Sequence, residues 1–252
     1  MELDTTMTTE VLSVARVMVQ ASKLKMEEAL CKCQYCNKTF RRESTLSVHQ
    51  CEPKRRWQQE KDTGVQLGLR SYLKFFEMTQ GSAKTKSYKD FVESPYYSAF
   101  VKFGQHLVAI RAINSSAFIE WIIKANKKLD AWTKEIYYDE YLFEYLRHEH
   151  PNDALERSVT EIQRWADENN TVFTQFFLTA APNKVCQMIV NGRLSPWVLF
   201  NCDSGVNMLS TFNTEQVALV YKYIDPEFWQ RKFKDFIADT EFIKMVLKEM
   251  KI

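Results

Sequence analysis

From residue 87 onward apolar residues recur at intervals of three and four. The runs AFIEWIIKANKKL, EYLFEYLRHEH, ALERSVTEIQRWA, EQVALVYKYI and EFIKMVLKEM each put one stripe of apolar side chains along a helix. Helix-start signals punctuate them. Ser87 and Asp90 are spaced as a capping box, as are Asn213 and Gln216, and Ser94, Ser195 and Asp225 each precede a proline. No stretch outside residues 31–53 alternates with period two, and the spacing is too irregular for a solenoid repeat. The pattern predicts an all-helical domain over 54–252 with eight to ten helices. Upstream, Val11, Val14, Ala15, Met18, Ala21 and Met26 follow helical spacing behind Thr8 or Thr9, so residues 1–30 read as an N-terminal helix packing on the body. Trp57, Val65, Leu69, Tyr72 and Phe76 share a face, which predicts one long basic helix from Lys54 to Gln80, stopped by Gly81. Gly64 and Gly68, one turn apart inside it, weaken a helix unless another helix crosses closely there.

Composition narrows the class. The 252 residues are 45% hydrophobic and 13% aromatic, enough to build a core, and only 6 Gly and 6 Pro argue against a turn-rich β architecture. Apolar runs are short, such as Trp197-Val198-Leu199-Phe200, far from the ~20 residues that span a bilayer. Glu2, Asp4 and Glu10 stand where a signal peptide needs a basic start, so a soluble, cytoplasmic protein is expected. The net charge of +2 hides a concentration of base. Between Lys32 and Lys61 eight basic residues face three acidic ones, and four of the six cysteines fall in the same stretch. In a chain without a secretion signal, clustered cysteines read as a metal site before a disulfide framework.

That stretch runs Cys33-Gln-Tyr-Cys36-Asn-Lys-Thr-Phe40-Arg-Arg-Glu-Ser-Thr-Leu46-Ser-Val-His49-Gln-Cys51. A cysteine pair two apart, then Phe40, Leu46 and His49 at these intervals, resembles the two-cysteine, two-histidine zinc fingers. The twelve residues between Cys36 and His49 equal that family's spacing. The resemblance implies a ββα unit in which a hairpin carries the cysteines, a helix carries the histidine, and Phe40 and Leu46 form a miniature core around one structural Zn²⁺. The departure is the fourth ligand, which the family places three to five residues after the histidine. Cys51 is only two residues on, and serves if the helix ends at His49 and the chain turns, as the nearby Pro53 allows. Cys31 competes for the role. By the match, Arg42, Thr45 and Val48 occupy base-reading positions, with Arg42 suited to guanine. Lys38, Arg41, Lys54, Arg55 and Arg56 are candidate phosphate contacts. One finger reads about three base pairs, too few for specificity alone.

Catalytic signals are thin. His148-Glu149-His150, with Glu144 a turn earlier, lacks a zinc-protease spacing and sits at a helix end, where histidines suit the dipole. His106 is a lone histidine among apolar residues. Cys202-Asp203-Ser204-Gly205 has no histidine nearby and reads as a capping turn. The clusters Tyr137, Tyr138, Tyr141, Tyr145 and Phe228, Trp229, Phe233, Phe236 have core spacing; Arg231, Lys232 and Lys234 between the latter could extend a basic face. No phosphate loop, dinucleotide fingerprint or paired-carboxylate motif is present. The segments SPYYSAFVKFGQH, NGRLSPWVLFNCDSG and IDPEFWQRKFKDFIADTEF resemble uncharacterised proteins of contractile-tailed phages of marine cyanobacteria, which implies an infected bacterial cytoplasm and no particular activity. The expectation is a zinc-binding, non-catalytic, nucleic-acid-binding accessory protein for phage DNA transactions or transcription. An adaptor docking a host or phage polymerase or replication component is the alternative, and a nuclease the third reading. No membrane or small-molecule partner is expected.

Overall fold

The computed structural model describes residues 31–81 and 86–252. The expected N-terminal helix over 1–30 lies outside them. The chain divides into two compact units, 1–109 and 110–252.

In the first, β1 (Cys31–Lys32) and β2 (Thr39–Phe40) pair antiparallel, Cys31 opposite Phe40 and Lys32 opposite Thr39. A five-residue helix follows, α1 (Glu43–Ser47), and then α2 (Glu52–Gln58), α3 (Thr63–Gln80), α4 (Tyr88–Glu93) and α5 (Tyr97–Ala109). The single helix expected over 54–80 is therefore two, separated at residues 59–62. Asp62 causes the break. Its carboxylate accepts the Val65 backbone N–H at 3.0 Å, so it serves as the N-cap of α3, the role for which a short acidic side chain outcompetes helix continuation. Trp57 packs instead on Tyr88 of α4, ring centroids 5.1 Å apart.

The α3–α5 crossing explains the glycines. A Cβ on Gly104 of α5 would stand 2.0 Å from the Gly64 carbonyl oxygen and 2.5 Å from the Gly68 nitrogen, so the two backbones touch where three glycines meet. Around this contact Val65, Tyr72, Phe91, Phe100, Phe103 and Leu107 are buried.

The second unit is helical throughout: α6 (Ser115–Lys124), α7 (Glu135–His148), α8 (Pro151–Glu168), α9 (Phe176–Thr179), α10 (Pro182–Val190), α11 (Pro196–Leu199), α12 (Asp203–Ser210), α13 (Thr214–Ile224), α14 (Pro226–Asp235) and α15 (Ile237–Glu249). Its core is built around Leu142, Ile162, Phe176, Val185, Trp197, Val198 and Trp229. The described residues from Glu52 onward form fourteen α-helices, more than the eight to ten expected, because the apolar runs are cut into short pieces. Prolines make many of the cuts: each of α2, α8, α10, α11 and α14 carries one in its first turn, where the missing N–H costs nothing. The capping boxes at Ser87/Asp90 and Asn213/Gln216 form as the spacing predicts, and Ser195 and Asp225 cap α11 and α14. Among the described residues no helix is long and apolar enough to cross a membrane.

Candidate metal centre

The metal-competent cluster is assembled by two tight backbone turns. After β1 the chain reverses so that the Cys33 N–H reaches the Lys38 carbonyl and the Asn37 N–H reaches the Cys33 carbonyl, both at 2.9 Å. Asn37 takes the left-handed conformation this turn requires, φ +60°, which an asparagine tolerates better than most residues. Cys33 and Cys36 thus face the same side.

The second turn lies after α1. That helix ends at Ser47, with the Val48 N–H and the His49 N–H both bonded to the Leu46 carbonyl. The chain then extends to Cys51, which is the residue before α2 (φ −127°, ψ 159°). Helix end, extended linker and new helix start together let two ligands only two residues apart converge, which one continuous helix would forbid.

The donor atoms of Cys33, Cys36, His49 and Cys51 all lie within 4.8 Å of one another. Cys33 Sγ is 4.0 Å from Cys51 Sγ, and Cys36 Sγ is 3.3 Å from His49 Nε2. Bonds of ~2.3 Å to sulfur and ~2.0 Å to nitrogen around a tetrahedral ion set donors about 3.5–3.8 Å apart, so the cage has the size for one such ion. Cys31 is outside this group, held in the sheet opposite Phe40. Among the described residues no other group of three or more Cys, His, Asp or Glu side chains converges in this way.

The surroundings act differently on Cys33 and Cys51. The backbone N–H groups of Cys36 and Tyr35 lower the Cys33 pKa below the usual thiol value. Burial raises that of Cys51, opposed by the Lys54 backbone N–H and reinforced by the neighbouring Cys33. Two sulfurs this close cannot both carry charge cheaply without a cation between them. The His49 ring is held against Phe40, centroids 4.6 Å apart, and Lys54 Nζ donates to the His49 carbonyl at 3.0 Å. Phe40 and Leu46 are half-buried, forming the small core the sequence implied.

The basic residues separate into two groups. Lys38, Arg41, Arg42 and Thr45 are exposed on the finger. Arg55 is also exposed and pairs with Glu52. Arg56 is turned inward: it donates to the Val92 carbonyl at 2.7 Å and to Glu52 at 3.1 Å, and stacks over Tyr97 at 4.5 Å. A guanidinium so committed is a brace between α2 and α4. Lys54 is likewise half-buried on His49. Lys32, which the site reading left out, lines a cavity of about 310 Å³ beside the cage with Tyr35, Leu46, His49 and Lys54. Its one sequence signal was membership of the basic stretch.

The other candidates have local structural work. His148 Nδ1 bonds the Glu144 carbonyl at 2.8 Å, and His150 caps α8 by accepting the Asn152 N–H. Cys202 precedes α12, bonded to the Val198 carbonyl, with burial raising its thiol pKa. Tyr141 is buried against Phe118, and Trp229 against Trp197, in the core of the second unit. No protein-family model, curated protein or solved structure matches this chain.

Proposed function

We propose that the Cys33/Cys36/His49/Cys51 cage holds one structural Zn²⁺ and that the finger it stabilises contacts the phosphates of duplex nucleic acid, in a non-catalytic accessory role. The observation that carries the reading is the four-donor cage itself, because it fixes the exposed basic residues Lys38, Arg41 and Arg42 on one small unit. Three thiolates and an imidazole are a soft, closed donor set, the chemistry of structural zinc. With all four positions taken by protein, a bound ion has no open site for a catalytic water.

The shortness of α1 shapes the kind of contact. At five residues it ends before Val48, which is therefore off the helix. Base reading in the manner of the finger family needs a longer helix, so phosphate contact dominates, with Arg42 alone offering a guanine donor. Such binding is weak, largely independent of sequence, and steeply salt-dependent. The sequence resemblance points to a bacterial cytoplasm as the setting and carries no activity of its own, so the DNA reading rests on the finger alone.

The adaptor reading has its own support: Val48, just after α1, is 75% exposed, an apolar group suited to a protein surface. One experiment separates the two. Elemental analysis of reduced protein should give one zinc per chain, and that protein should retain random-sequence duplex DNA at ~50 mM salt, where phosphate contacts are strongest. Zinc without DNA retention moves the assignment to the adaptor; absence of zinc removes both.

A further inference from the structure

In the second unit three arginines from three separate segments converge on one carboxylate. Glu161, on α8, is buried, its side chain 8% exposed. Arg111, in the turn before α6, donates to Glu161 Oε1 at 2.8 Å. Arg164, one turn along α8, pairs with Glu161 Oε2, and Arg193, in the turn after α10, stands 4.0 Å from Oε1. Among the described residues the ion pairs of these arginines add one further carboxylate, Glu168, 3.7 Å from Arg164 Nε. Three guanidiniums thus share one buried and one exposed carboxylate. The nearby Arg157–Glu149 pair makes the contrast, since there one guanidinium meets one carboxylate through two bonds of 2.5 and 2.9 Å.

Assembling such a surplus is costly. Arg193 is bonded to the carbonyls of Ile110 and Arg111, and both burial and the Arg111 charge hold its pKa below the usual guanidinium value. Arg111 itself sits at φ +50°, where a glycine would be unstrained. If the turn were all that mattered, glycine would serve there better. The arginine keeps a side chain that is 51% exposed, and Arg164 is 39% exposed, so both present donors to solvent beside the carboxylate they share.

We propose that Arg111, Arg164 and Arg193, gathered on Glu161, form a binding site for a phosphate group. Glu161 fixes the three planar forks and neutralises part of their repulsion. A tetrahedral oxyanion then completes the charge balance, with the exposed Arg111 and Arg164 forks offering it donors and the more buried Arg193 adding charge behind them. The chemistry is that of a phosphate, whether on a nucleic-acid backbone or on a free phosphate-bearing molecule. This site shares no residue with the metal centre, and its assignment does not rest on the finger.

The test is titration of the full chain with inorganic phosphate, followed through the arginine Nε–Hε resonances and by calorimetry, against chloride at matched ionic strength. Phosphate should shift the Arg111 and Arg164 signals and bind where chloride does not. Arg111→Gly relieves the backbone strain and leaves Glu161 two arginine partners, so it should stay folded. It should weaken phosphate binding about tenfold or more, the loss of one charge-assisted contact. Arg164→Gln provides a second variant with the same expectation. Phosphate that shifts no more than chloride, or binds both variants as tightly as the parent, overturns the site. Duplex DNA then identifies the source: a shallower salt slope in Arg111→Gly than in the parent assigns the nucleic-acid backbone, and an unchanged slope in that variant, once its phosphate binding is weakened, assigns a free phosphate ligand. The Arg111 and Arg164 signals report this site alone, so its failure is distinguishable from a failure of the finger reading.

Discussion

At the scale of single residues, the cage depends on which cysteine completes it. Cys51 lies within reach of the other three donors and Cys31 does not, so Cys51→Ser should lose bound metal while Cys31→Ser keeps one equivalent, measured by competition with a chromophoric chelator. A Cys31→Ser variant that loses the ion would reverse the assignment. A second prediction concerns Glu149. Its carboxylate is buried against Arg157, and also accepts from the Ser195 hydroxyl at 3.0 Å. Burial outweighs these partners and raises its pKa. The folded chain therefore keeps this proton to higher pH than the unfolded chain, and folding takes one up in that window. Stability must then fall as pH rises from the ordinary carboxylate range to the raised value. Urea unfolding at a series of pH values should show the parent losing ground to Glu149→Gln across that window and nowhere else. Arg157→Leu, which strands the charge, should cost about 3–5 kcal/mol near neutral pH. The ligand residues were legible in the sequence because their spacing is local. The surroundings of Glu149 were not, since Arg157 and Ser195 reach it only through the packing of α8 and α11.

At the scale of elements, caps and crossings could be read, while helix lengths could not. Ser87, Asn213, Ser195 and Asp225 announce helix starts because a short polar side chain satisfies free N–H groups whatever the rest of the fold does. The break at residues 59–62 is hidden in the pattern because the apolar positions Trp57 and Val65 lie on either side of it, and Asp62 alone marks the new start. The glycines carried a conditional signal, that Gly64 and Gly68 need a helix crossing close by. The structure supplies α5 and adds Gly104, whose role depends on a contact 36 to 40 residues away in sequence. The prediction follows from which atoms a new methyl meets. Gly104→Ala would drive Cβ into backbone atoms of α3, which cannot rotate away, and should cost about 3 kcal/mol or unfold the first unit. Gly81→Ala meets nothing within 4 Å and bears only the strain of φ +51°, about 1 kcal/mol. Equal losses in thermal unfolding of the two variants would show that the crossing is not tight.

At the scale of the whole molecule, the question is how charge is spread and what it meets. A net charge of +2 would steer nothing, yet the finger holds Lys38, Arg41 and Arg42 together in solvent while Arg56 is spent on packing. The two kinds of base should separate experimentally. Replacing Lys38, Arg41 and Arg42 with alanine should leave thermal stability nearly unchanged and shallow the dependence of log K for duplex DNA on log salt by about three units, since each phosphate contact releases about one counterion. Arg56→Ala should do the reverse. It empties a contact to the Val92 carbonyl and a stack on Tyr97, so it should destabilise the first unit by about 1–3 kcal/mol while the salt slope stays as in the parent. Removing the metal with a chelator tests the same division from the other side. The finger's folding free energy is largely metal-binding free energy, about 10–16 kcal/mol in small zinc peptides, so its DNA contacts should vanish on stripping. The helices of the second unit bury their own core around Trp197 and Trp229, and their near-ultraviolet signal should survive. A chelator that abolished that signal along with DNA binding would mean the two units fold as one cooperative body, and that the ion stabilises far more than the finger.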